Sequence, residues 1–529
     1  MSLPELAGTA FLGRSRGRTG GATFRAANPA TGESLGPAFH TSHPEEVDRA
    51  ASLAAAAAPA LGALSGSAKA AFLRDLASRI EAAASNLAAR AQLETALPEA
   101  RCLGEIGRTV GQLRLFADLV AEGHWVDARI ERANPDRKPL PKPDHRSMAR
   151  ALGPVAVFCA SNFPFAYSVA GGDTASALAA GCPVVVVAHP AHPGVAELVG
   201  GLVAAAVAAA GLPEGTFSML VGDGRVVGQR LVRHPALRAV GFTGSRPGGR
   251  ALMDLAAARP EPIPVYAEMS SVNPVVLLEG ALAARGEALV TGMLASCTLG
   301  VGQFCTQPGV LLLARSPAAE AFVARLAEAF AAAPEGVMLH AGIARAYREG
   351  VETRLARPGV RSLARGASGS LPNRASAALL ACEAATFLAD PSLRGEVFGP
   401  CSLVVWCEGL EGIRDALAGM EGSLTATLHG TDGELAANPD LVDQLARLAG
   451  RVIVNGFPTG VEVSSAIVHG GPYPSLSDGR STSVGANAIH RFTRLVCYQG
   501  FPDAALPAEL RDANPLGIRR LVNGKLERA

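Results

Sequence analysis

Lysine is nearly missing from this chain: among 529 residues only Lys69, Lys138, Lys142 and Lys525 carry one, and none lies between 143 and 524. A phosphate-binding P-loop needs a lysine after its glycines, so that mechanism is excluded over most of the length. There is also no excess of either charge. Forty-eight basic residues stand against 47 acidic ones, a net of +1, which leaves no global field to attract nucleic acid or an anionic membrane. The nine cysteines are odd in number, form no Cys-x-x-Cys pair and show no zinc-like spacing. A disulfide framework and a metal site are therefore not expected, and a reducing cytoplasm is. Residues 1–14 lack a basic stretch followed by an apolar one, so no secretion signal is read there. The most apolar region, 155–188, is broken by Asn162, Pro164, Gly171-Gly172-Asp173 and Pro183, which suits buried strands and a helix rather than a membrane span.

What is present is length and rhythm. The chain is long enough for two or three domains, each burying its own core. Residues 45–121 repeat apolar positions at helical spacing, as in Phe72-Leu73, Leu76 and Ile80. Prolines at 135, 139, 141 and 143 then end any helix and predict an extended arm. From Gly153 strand and helix alternate: strands at 154–158, 183–187, 217–221 and 239–242, with helices at 172–180, 194–210, from 225 and from 248. Alternation with short connections predicts a parallel, doubly wound sheet, which binds ligands beyond the carboxyl ends of its strands. A second mixed region runs from about 289 to 483, with strands at 309–314, 402–406 and 451–455, and 494–498 reads as a further arm strand.

Several residues could carry chemistry. Gly241-Phe242-Thr243-Gly244-Ser245 follows a strand and precedes a helix, whose first N–H groups could face a phosphate. Gly222-Asp223-Gly224-Arg225-Val226-Val227-Gly228 has one residue too many for a dinucleotide fingerprint, and a simple turn explains it as well. Cys305 lies in the glycine-rich Gly300-Val301-Gly302-Gln303-Phe304-Cys305-Thr306, where a thiolate can be exposed to substrate; a buried structural cysteine is the alternative. Glu268 closes an apolar strand, and Asn162 follows another, where its amide could face an oxyanion or merely satisfy a turn. Cys297 is the competing thiol but lacks the glycine-rich setting.

These residues in their contexts, with Asn28-Pro29-Ala30-Thr31-Gly32, Glu396-Val397-Phe398-Gly399-Pro400 and Asn455-Gly456-Phe457-Pro458 in the same order, resemble the aldehyde dehydrogenase superfamily over nearly the whole chain. Ser270-Ser271-Val272-Asn273-Pro274, Ala191-His192-Pro193-Gly194 and His469-Gly470-Gly471-Pro472-Tyr473-Pro474 look most like its 2-ketoglutaric semialdehyde (2,5-dioxopentanoate) dehydrogenase branch. The resemblance implies an α/β protein: a doubly wound cofactor domain (1–135 and 150–288), an α/β catalytic domain (289–484) and a β-strand oligomerisation arm (136–149 and 485–529). It implies NAD or NADP as cofactor, with the preference open, a small-molecule aldehyde as substrate, and a homodimer or homotetramer joined through 139–144 and 495–499. By the same resemblance Cys305 is the nucleophile, Asn162 and the Cys305 N–H hold the oxyanion, and Glu268, with a raised pKa, activates water. Gly244 and Ser245 match the pyrophosphate turn, and Glu396 and Phe398 the groups that hold the nicotinamide ribose and ring.

The chain departs from that pattern at Val187, where relatives carry a lysine that contacts the adenosine ribose or its 2′-phosphate. Loss of such a charged donor is worth about 1.5–3 kcal/mol, and Arg225 is the candidate substitute. Cys159 stands where relatives have glycine and could crowd the oxyanion or pack as a small hydrophobe. For a substrate carboxylate the candidate cation is Arg114, and for an apolar wall Phe165, with a solvent-facing arginine and core packing as the alternatives. Fatty or aromatic aldehydes are the alternative substrates. A cofactor-independent thiol esterase built on Cys305 and Glu268 is the alternative activity.

Overall fold

The computed structural model describes residues 5–367, 369 and 373–527. Its first sheet has seven strands in the order Val265–Glu268, Ala239–Thr243, Val155–Phe158, Val184–Val187, Phe217–Leu220, Phe11–Leu12, Ser15–Arg16. The first five are mutually parallel and the last two antiparallel. Val184–Val187 is four valines, all buried, because helices cover both faces of the sheet and β-branched side chains suit a pleated surface. The helix Gly172–Ala180 ends at Gly181, whose φ of +97° lets the chain turn back into the next strand. These elements lie within a residue or two of their expected positions. The helix expected from Arg225 begins instead as a π turn, Gly224–Gly228, before Gln229–Arg233.

The order of strands places the ligand crevice. From Val155–Phe158 the chain moves outward through Val184–Val187 and Phe217–Leu220, then returns to the other side with Ala239–Thr243 and Val265–Glu268. The sheet therefore switches direction beside Val155–Phe158. The segments leaving the carboxyl ends there carry Asn162, Gly244 and Ser245, and Glu268 is itself the last residue of its strand.

A second seven-stranded sheet runs Arg361–Arg365, Ala378–Glu383, Cys401–Cys407, Val310–Ala314, Pro274–Leu277, Ser423–His429, Ala449–Val454, parallel except at its first pair. Pro274–Leu277 falls before residue 288, where the cofactor half was expected to end, yet it pairs into this sheet, so the change of sheet lies between Glu268 and Pro274. The arm sheet is Thr493–Gln499, His145–Ala151, Arg129–Glu131, Arg520–Val522, Lys525–Glu527. Within it Leu495 to Gln499 pair with residues of the same chain, Ala149 to His145, whereas 139–144 forms no strand and supplies the bridge of Lys142 to Asn134 and the Asp144 carbonyl that accepts from Gly500 N–H. Prolines at 139, 141 and 143 remove the donors a strand would need there. Among the described residues no helix is long and apolar enough to cross a membrane.

Candidate active site

Cys305 sits at the amino end of Val310–Ala314, in a turn held from two sides. The Asn273 amide donates to the carbonyls of Cys305 and Gln307, at 2.8 and 2.9 Å. Gly302 has φ +64°, and a Cβ there would come within 2.3 Å of the Gly399 backbone, so only glycine allows this close approach. The turn faces the carboxyl ends of the first sheet, and the cavity between them, about 340 Å³, is lined by Asn162, Ser245, Glu268, Cys305, Glu396 and Phe398 among others. Six of the sequence-predicted residues thus meet in one place, and Gly244 lines the same cavity.

At its floor Cys305 Sγ lies 3.4 Å from His469 Nε2, which lies 3.0 Å from Glu268 Oε1. Ser483 Oγ donates to Glu268 Oε2. Glu268 is 2 % exposed and His469 is fully buried. Burial pushes the Glu268 carboxyl up, but the neighbouring His469 and hydrogen bonds from His469, Ser483 and Cys305 together hold it below the ordinary carboxylate range. A raised value was expected from sequence; the histidine and serine that reverse it lie some 200 residues away in the chain. Burial pushes the Cys305 thiol well up, Glu268 adds to this, and Arg108 opposes it. The sulfur, ring nitrogen and carboxylate oxygen of this trio lie within 4.8 Å of one another, a grouping of metal-binding types where none was expected.

Asn162 Nδ2 donates to the Gln303 carbonyl at 3.0 Å, which fixes the amide and leaves its second hydrogen for the cavity. Among the described residues the Cys305 N–H is given to no backbone carbonyl. The two donors can therefore serve an oxygen bound beside the sulfur. Phe163 packs edge-on to Tyr167 and Phe304, with centroids 5.2 and 5.3 Å apart, and forms the apolar wall. Phe165, expected in that wall, is buried instead in the helical core and gives its N–H to Glu105. Cys297 is also internal, 3.1 Å from Ser402 Oγ, and Cys159 packs in the core as a small hydrophobe.

The opposite end of the cavity suits a dinucleotide. Ser245 caps the helix Arg246–Ala257 through Gly248 N–H at 3.3 Å, which orients a positive helix end toward the pocket. The Glu396 carboxyl is pushed up to about 7 by burial, opposed by hydrogen bonds from Ser270 and the Ser271 backbone, and suits the hydroxyls of a ribose. Val187 is buried at its strand end and offers no donor. Arg225 does not occupy that role: its side chain is 88 % exposed and, among the described residues, meets only Asp223, at 3.4 Å. Arg114 likewise turns to solvent and is bonded to Glu81 at 3.2 and 2.5 Å. It lines a separate outer cavity, not the one holding Cys305.

His469 is the residue that sequence reasoning missed. Its motif was noted, but nothing local in His469-Gly470-Gly471 marks a contact with Glu268, 201 positions earlier.

Comparison with known proteins agrees with this geometry. The model described as "Aldehyde dehydrogenase family" matches residues 17–496. The chain is 52 % identical to alpha-ketoglutaric semialdehyde dehydrogenase 2 of Azospirillum brasilense over 99 % of its own length and 100 % of the relative's. It is 44 % identical to alpha-ketoglutaric semialdehyde dehydrogenase of Acinetobacter baylyi over 99 % of both. Among solved structures, lactaldehyde dehydrogenase from Escherichia coli superposes with a TM-score of 0.80 at 21 % identity, covering 93 % of this chain and 98 % of that one.

Proposed function

The chain belongs to the aldehyde dehydrogenase family and oxidises aldehydes with NAD or NADP; on that premise we propose that its substrate is 2-ketoglutaric semialdehyde and its product 2-ketoglutarate. The observation that carries this reading is the 52 % identity to the Azospirillum brasilense relative along the full length of both chains.

We assign the chemistry to Cys305, Glu268 and Asn162, a reading supported by their meeting in one buried cavity. Cys305 Sγ, its proton released to bulk water, bonds as the thiolate to the aldehyde carbon, beside Glu268, which His469 and Ser483 keep as the carboxylate. The resulting oxyanion accepts hydrogen bonds from the Asn162 amide and the Cys305 N–H. The nicotinamide, when bound, supplies the acceptor for the two electrons and the hydrogen that leave that carbon. Cys305 then holds the acyl group as a thioester, and Glu268 takes a proton from the water that cleaves it, releasing the carboxylate and restoring the thiol. Gly244 and Ser245 would hold the pyrophosphate, and Glu396 and Phe398 the ribose and nicotinamide ring.

By the same reading the first sheet is the cofactor domain, the second the catalytic domain, and the third an oligomerisation arm. Thr493–Gln499 is an open edge strand with Leu495 69 % exposed, which supports pairing with a second copy as a homodimer or homotetramer. A cytoplasmic enzyme fits the unpaired cysteines.

The test is a panel of 2,5-dioxopentanoate, hexanal and benzaldehyde assayed with each cofactor. The highest kcat/KM is expected for 2,5-dioxopentanoate. A higher value for hexanal or benzaldehyde would replace the substrate, and ester hydrolysis without any change in nicotinamide absorbance would replace the activity with that of a thiol esterase.

A further inference from the structure

Two guanidinium groups, those of Arg108 and Arg451, stand beside the catalytic cavity and form no ion pair among the described residues. Arg108, on the helix Glu99–Glu122, donates through Nη2 to the Tyr167 hydroxyl at 3.1 Å and lies over the Tyr167 and Phe163 rings, 5.3 and 5.9 Å from their centroids. Its Nε is buried without a hydrogen-bond partner. Glu105, three residues earlier, is already spent: one oxygen is bound to Arg101 and the other accepts the N–H groups of Phe165 and Ala166. Arg451, on Ala449–Val454, gives Nη2 to the carbonyls of Pro458 and Gly460, and its Nε is buried and unpartnered too. Arg451 is within electrostatic reach of Cys305, Tyr167 and Arg108. Two half-buried like charges, each with a buried and unpartnered Nε, repel one another unless an anion joins them.

Arg108 also stands at a junction. It lines the outer cavity, about 920 Å³, while its partner Tyr167 lines the inner cavity that holds Cys305. Val463, on the outer side, packs against the cluster of Phe163, Tyr167 and Phe304. Acids of the outer cavity leave Arg108 unneutralised: Asp118 is bound to Arg74, Glu122 to His124 and Asp127 to Arg129, and Glu462 lies exposed at the rim.

From this arrangement we infer that Arg108 and Arg451 form a carboxylate-binding subsite, which holds the 2-oxo acid end of the substrate while its aldehyde reaches Cys305. The inference rests on the semialdehyde substrate proposed above. A carboxylate offers two oxygens in the geometry of a guanidinium fork, satisfies the orphaned donors and relieves the repulsion between the two cations. An uncharged aldehyde of equal length would leave both cations half-buried and without an anion, so the subsite selects against it.

The experiment compares kcat/KM for 2,5-dioxopentanoate with that for pentanal in wild type, Arg108→Met, Arg108→Lys and Arg451→Met. Arg108→Met should lower the ratio of the two by about 10- to 100-fold, mainly through KM for the dioxo acid, as expected for loss of a charged hydrogen bond. Arg108→Lys should recover part of it. Pentanal turnover serves as the folding control, and Arg451→Met should move the ratio in the same direction. A ratio unchanged in both methionine variants overturns the subsite while leaving the substrate standing. Wild-type enzyme that turns over pentanal but not 2,5-dioxopentanoate overturns the substrate reading itself.

Discussion

At the sulfur end of the cavity Cys305, His469, Glu268 and Ser483 are bonded in series, the last three shut away from water and the cysteine half-buried, whereas at the cofactor end Arg225 reaches into solvent and Val187 offers no side-chain donor. The same chain thus builds one end from coupled, desolvated groups and the other from separate and partly open ones. Charges in a dry site act on one another strongly, so each substitution there should be felt by its neighbours; an exposed ion pair is worth little. The difference teaches where mutational effects should concentrate.

The largest expected effect sharpens the contrast within the cysteines. Cys305→Ala should lower aldehyde turnover by roughly 10⁴-fold or more in steady-state assays. Cys297→Ala should leave kcat near wild type and cost about 1 kcal/mol of stability in denaturant titration, because that thiol packs beside Ser402 inside the second sheet. The reverse result would place the coupled cluster around the wrong sulfur. Next, Glu268→Gln should slow turnover by about 10²- to 10⁴-fold while a first burst of reduced cofactor survives. Absence of the burst in stopped flow would mean that Glu268 is needed before the thioester forms.

A smaller effect probes Glu396, on the ribose side of the cofactor end. The Glu396 carboxyl, at about 7 against an ordinary 4.5, is neutral at pH 6 and charged at pH 8. Cofactor affinity should therefore strengthen as pH rises through about 7, where the carboxylate becomes the better acceptor for ribose hydroxyls. Without cofactor the sign is opposite. The unfolded carboxyl ionises near 4.5 and the folded one near 7, so between these values the folded state alone keeps the proton and stability falls as pH rises. Glu396→Gln should flatten both trends in fluorescence titrations and melting curves. The smallest effect is at the open end: Arg225→Ala should change the ratio of NADP to NAD kcat/KM by less than about fivefold. A larger change would show that the exposed end becomes as ordered as the sulfur end once cofactor binds.

Much of this architecture is legible in the chain because its determinants are local. Val184–Val187 declares a buried strand by composition, and Gly181 and Gly244 mark turns that only small residues take. Cys305, Asn162 and Glu268 stand at the ends of such segments. Contacts between distant segments were not legible. Arg114 was read as the cation near the substrate, yet it points to Glu81, and Arg108 is the one that reaches Tyr167. A signal existed: Glu105, Arg108 and Gln112 recur at spacings of three and four along a helix whose other inward residues are largely apolar, a polar stripe aimed at the site. Helix phase, not residue type, separates the two arginines. The lowered Glu268 pKa had no local signal, since His469 and Ser483 approach it from the far end of the chain.

One detail of His469 bears on how protons travel. Its Nε2 touches both Cys305 and Glu268, while its Nδ1 is buried and meets no partner. A relay through the ring receives at one nitrogen and releases at the other, and among the described residues Nδ1 has no protein group to release to. Within the protein the ring exchanges protons at Nε2, with Cys305 or Glu268, rather than across its two nitrogens. Traffic between the sulfur and bulk water then has the carboxylate and the substrate channel as its routes, and a bound aldehyde that fills the channel leaves it the carboxylate.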